Sequence, residues 1–182
     1  MSTYQNQFNF KGVVFTESNA VKTEALNYNL TVFTHLSRNE YGLPLISSMF
    51  AIMKENINAN NYGYMNSDIL LNPKVFTLLK NKQMLGIDNN TELVERVLEV
   101  GFQYSDTDFS TMKRINQVFS RNYTNTKLRN LLSADVFIFP KSFPFEKIPP
   151  IVIARRKVDT ILMRVPQKIN GCKIDFTDYG LY

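Results

Sequence analysis

The chain has 182 residues, 44% hydrophobic and 20% charged, with one cysteine, no tryptophan and a net charge of +5. This composition excludes a disordered chain and a disulfide framework, and 182 residues suffice for one domain with a full core. The longest apolar run, Leu43 to Met53, is broken by Pro44, Ser47 and Ser48, far short of the roughly 20 residues of a membrane span, so none is expected.

Residues 1–11 are polar with isolated aromatics at Tyr4, Phe8 and Phe10, and read as an extended N-terminal arm. Gly12 to Phe15 reads as a short strand. Leu26, Leu30, Phe33 and Leu36 recur at helical spacing, which predicts a first helix over about 21–37 with His35 inside it. Pro44 suits the first turn of a second helix carrying Ile46, Met49, Phe50 and Met53. The asparagine-rich stretch through Tyr62, Gly63 and Tyr64 reads as a loop. Ser67-Asp68 resembles a helix cap, and Pro73 opens a helix with Val75, Phe76, Leu78 and Leu79. Leu93, Val94, Val97 and Leu98 predict a further helix. Ser105 to Thr107 precedes another, over 107–121, with a short helix following at 125–132.

Past Leu132 the period changes to two. Val136 and Ile138 alternate with Phe137 and Phe139, as in a strand buried on both faces. Pro140, Pro144, Pro149 and Pro150 punctuate a loop that carries Phe143 and Phe145 and is the best hinge candidate. Ile151–Ile153 and Thr160–Met163 read as strands around a basic turn, Arg155-Arg156-Lys157. Asn170-Gly171 signals a hairpin between Val165 and Ile174. The fold class is therefore α+β: a core of five or six helices over about 20–132, then a small antiparallel sheet over about 135–177. The whole is read as a single domain, 1–182, with a possible division into a helical core at 12–134 and a β subdomain with C-terminal tail at 135–182.

The chemistry of most enzymes has no foothold in this pattern. The seven glycines are isolated, so no phosphate-binding loop is spelled out. A lone histidine and a lone cysteine give too few ligands for zinc. Asp106 and Asp108 are best explained as helix caps, and Asp175 and Asp178 as solvated acids. No catalytic residue, metal or cofactor is assigned, and enzymatic activity is not expected. The first ten residues lack the basic and apolar regions of a signal peptide. Twenty asparagines with many Lys, Ile, Tyr and Phe suggest an AT-rich genome, as in low-GC bacteria and their phages or plasmids. The expected location is the bacterial host cytoplasm or a virion.

Two functional readings remain. The first is a structural assembly subunit that packs on copies of itself and on neighbouring structural proteins, as in the rings of a phage head–tail junction. It rests on aromatic residues in unpatterned segments, namely Tyr4, Phe8 and Phe10 at one end and Tyr179, Leu181 and Tyr182 at the other, with Phe143 and Phe145 as an apolar patch between. The segment Asn125-Thr126-Lys127-Leu128-Arg129, ahead of the apolar run ending at Phe139-Pro140, resembles collar proteins of short-tailed phages. That resemblance covers less than a tenth of the chain and transfers no residue role. The second reading is a DNA-binding replication or regulatory protein. Up to Ser105 there are 8 basic against 9 acidic residues; from Asp106 onward, 13 against 7. Helix, turn, helix and strand over 107–139 follow the order of a helix-turn-helix and wing. Lys127 and Arg129 would lie on its second helix, and Arg155, Arg156 and Lys157 at the wing tip, facing phosphates.

Overall fold

The computed structural model of the chain describes residues 2–66, 69–81, 92–96, 98–100, 110–120, 126–128, 134–153 and 157–175. A short helix α1 (Ser2–Gln7) leads to strand β1 (Val13–Phe15), helix α2 (Asn19–Asn27) and strand β2 (Thr31–Phe33). β1 and β2 pair in parallel, Val14 opposite Val32, and α2 is the crossover that a parallel pair needs. The Ser18 hydroxyl caps α2 by accepting from the Val21 amide, and Asn29, at φ +56°, turns the chain into β2. Helix α3 (Ile46–Asn56) begins two residues past Pro44, and strand β3 (Asn61–Met65) follows. Pro73 stands at the start of α4 (Lys74–Lys80), where its missing N–H costs nothing. Strands β4 (Glu92–Arg96) and β5 (Leu98–Val100) precede helix α5 (Met112–Phe119), which Thr111 caps. Strand β6 (Thr126–Leu128) pairs with β5, and strand β7 (Ala134–Pro140) follows it. A 3-10 turn (Phe145–Lys147), helices α6 (Val158–Leu162) and α7 (Val165–Lys168) and strand β8 (Lys173–Asp175) end the described chain.

β7 organises this set. All seven of its residues are buried, and it lies inside a four-stranded sheet of order β3-β7-β4-β8. β3 and β4 flank it antiparallel, and β8 joins β4 in parallel. Its side chains divide between the two faces. Phe137 and Phe139 enter a core with Ile46 and Phe50 of α3, Phe145 and Leu162, where the Phe50 and Phe145 rings stack at 4.6 Å. Val136 and Ile138 enter a second core with Tyr4 of α1, Val75 and Phe76 of α4 and Ile115 of α5. Helices pack on both faces of this mixed sheet, and the fold is broadly α+β. No described helix is long and apolar enough to cross a membrane.

The buried strand at 135–139 and the helices opened by Pro44 and Pro73 agree with the sequence expectation. Several other elements differ. Residues 2–7 are helical, not an extended arm. The first predicted helix stops at Asn27, and its remainder is β2 and a loop holding His35. The predicted loop around Tyr62–Tyr64 is β3, because Tyr62 and Tyr64 alternate with Gly63 and pair across Phe139 and Phe137. The helix expected around Leu93–Leu98 is replaced by β4 and β5, since pairing with β7, β8 and β6 overrides local spacing. Of the short helix expected at 125–132, the described residues Thr126–Leu128 are strand β6; the rest lies outside the described residues. Thr160–Met163 belongs to α6 and the turn after it, not to a wing strand. Ile151–Ile153 makes a single bridge, Val152 to Leu45. The Asn170 turn is real, at φ +55°, but joins α7 to β8. The sheet is mixed, and it draws β3 and β4 from before residue 134 and β7 and β8 from after it.

Candidate interaction surface

Among the described residues, the aromatic side chains singled out in the sequence are buried or half-buried. Tyr4 is buried, its hydroxyl donating to the Leu71 carbonyl, and its ring lies 5.7 Å from that of Phe76. Phe8 stacks on Phe76 at 4.4 Å, and Phe10 meets the same ring edge-on at 5.4 Å. Phe143 and Phe145 are core residues, packed on each other at 5.4 Å and on Phe139. They form no outward apolar patch, because the Pro-rich segment folds back and the Ile46 amide donates to the Ile151 carbonyl. Tyr179, Leu181 and Tyr182 lie outside the described residues, as do Arg129, Arg155 and Arg156, the helix caps at Ser67-Asp68, Ser105–Thr107, Asp106 and Asp108, and Asp178. Lys127 stands in β6 opposite Glu99, and Lys157 is exposed at the head of α6 with φ +74°.

Among the described residues the exposed large apolar side chains are others: Val21, Leu26, Tyr28 and Tyr41, at 47, 52, 53 and 77% exposure. All four fall within residues 21–41. α2 buries only Ala25, and Val21 and Leu26 stay about half exposed. Tyr41 stands in a tight loop. There the Asn39 side-chain oxygen accepts from the Tyr41 and Leu43 amides, and Gly42 takes φ +74°, which favours glycine. Arg38 ties this loop to the β1–α2 turn, pairing with Glu17 at 2.6 Å and donating to the Gly42 carbonyl. One module and one loop, joined by an ion pair, therefore hold these four residues. Sequence reasoning missed them because a continuous helix over 21–37 assigns Leu26 to a core face. The turn residues Asn27-Tyr28-Asn29 were the available signal.

Two further features have shape or charge. A groove of about 630 Å³, open to solvent, runs beside α3 over Leu45, Ala51, Phe145, Ile148 and Pro150, with Lys54 Nζ 5.8 Å from the Phe145 ring centre. Beneath the other end of β7, Asp135 is buried and its carboxylate accepts from the Asn66 side chain at 2.7 Å. The Asn66 side-chain oxygen in turn accepts from the Tyr64 hydroxyl at 3.2 Å. Burial, and then the Asp135 charge, push the Tyr64 phenol above its ordinary value. Among the described residues no group of three or more His, Cys, Asp or Glu side chains is placed to hold a metal ion. Comparison of the chain with protein-family models, curated proteins and solved structures finds no match, so functional inference rests on this geometry.

Proposed function

We propose that the chain is a non-enzymatic structural subunit that packs on neighbouring copies through the surface formed by α2 and the Arg38–Pro44 loop. A ring protein of a phage head–tail junction is the kind of assembly meant, and its location would be the host cytoplasm and then the virion. One observation carries this reading. Among the described residues the exposed large apolar side chains are gathered on one module and the loop tied to it, and not scattered singly. Fully covering a side chain of this size contributes about 1.5–3 kcal/mol, so a symmetric contact that buries several on each partner is favourable. The surface assigned to assembly thus moves from the N-terminal arm to α2, because Tyr4, Phe8 and Phe10 are occupied by Phe76.

The test is a paired substitution, Leu26→Glu with Tyr28→Glu, both at exposed positions. The expected outcome is an unchanged circular dichroism spectrum and thermal midpoint, with loss of the multimer in light scattering. A variant that assembles as the wild type does would refute this surface.

A further inference from the structure

The β1–α2–β2 module is weakly held. Its buried positions are Gly12 at its entry and Ala25, while Val13 and Phe15 are only partly covered where they meet the core around Phe137. Its ion pair to Arg38 is exposed and contributes little. Beyond β2 the chain is tied to α3, where the Ser37 amide donates to the Ser48 hydroxyl at 2.8 Å. At the strand entries, one side chain of α1 adds two further bonds. Gln5 Oε1 accepts from the Gly12 amide, at the entry to β1, and Gln5 Nε2 donates to the Asn29 carbonyl at 3.1 Å, in the turn before β2. Those two points are themselves joined across the pair, since the Thr31 amide donates to the Gly12 carbonyl at 2.9 Å. α1 has only six residues and is too short to be helical alone; it is helical because Tyr4 and Phe8 seat it on Phe76.

We propose that residues 2–12 are a strap that latches the β1–α2–β2 module to the body through Gln5. Docked, the strap fixes both strand entries at once. Undocked, it releases both bonds together, and the module with Val21, Leu26 and Tyr28 keeps its partial contact at Val13 and Phe15, the exposed Glu17–Arg38 pair and the tie at Ser37. The latch stands on these contacts alone; that it sets the orientation of an assembly surface rests on the function proposed above.

The experiment is native-state hydrogen exchange on the full chain carrying Gln5→Ala. The expected result is exchange at least tenfold faster over residues 12–16 and 30–34, with β7 unchanged. Gln5→Glu keeps an acceptor for the Gly12 amide and loses the donor to Asn29, so the Gly12 amide alone should recover protection while 30–34 stays fast. Unchanged exchange in Gln5→Ala would overturn the latch. So would equal acceleration in β7, which would mark a general loss of stability. Neither result alters the mass of the wild type, so the latch and the assembly reading fail independently.

Discussion

Asp135 shows how one residue is accommodated on a strand buried along its whole length. The register between β4 and β7 slips there: Glu95 faces Val136 but Arg96 faces Ala134, so Asp135 is passed over. A bulge of this kind bends the strand and re-aims a side chain, and here it accompanies the bond from Asn66 and the charge beside Tyr64. Asp135→Asn should lower the Tyr64 titration midpoint while leaving it above 10.0, because burial is the larger cause. Absorbance at 295 nm through an alkaline titration checks this, and an unmoved midpoint would deny the charge effect. The linkage has a definite sign. A phenol raised in the folded state contributes stability that is whole below 10.0 and is lost as pH rises through the folded midpoint. Lys157 carries a second residue-scale prediction. A lysine at φ +74° pays for a left-handed conformation that glycine adopts freely. Lys157→Gly should therefore stabilise by roughly 0.5–1 kcal/mol in urea unfolding, and a destabilised variant would contradict the assigned backbone.

At the scale of elements, β7 was legible because alternation with apolar residues on both faces leaves no solvent side. Pro44 and Pro73 marked helix starts for a local reason, the amide they lack. The misread elements share a different cause. Leu93, Val94, Val97 and Leu98 have spacing that suits a helix, and only the long-range partners of β4 and β5 decide for strands. Tyr62 and Tyr64 already showed a period of two, but Gly63 and the nearby asparagines masked it. The aromatic arm was misjudged because its docking partner, Phe76, is 66 residues away from Phe10. This yields an element-scale prediction. Phe76→Ala removes the ring on which Tyr4, Phe8 and Phe10 converge, and should cost about 3–5 kcal/mol. Deleting residues 1–10 should likewise lower the thermal midpoint, whereas a free docking arm could be removed without loss.

At the scale of the molecule, the division of charge at residue 105 does not follow a division of the fold. The sheet collects strands from both sides of that point, and its two cores meet through β7. Of the candidate surface, the sequence displayed the residue types but not their exposure, which depends on where α2 ends and what leaves it uncovered. Assembly through this surface is the central claim. The most direct test is the absolute molar mass of the wild-type chain by light scattering over a concentration series. The expected result is a rise from the 21.1 kDa monomer to a discrete multiple as concentration increases. A mass that stays at the monomer value throughout would contradict it.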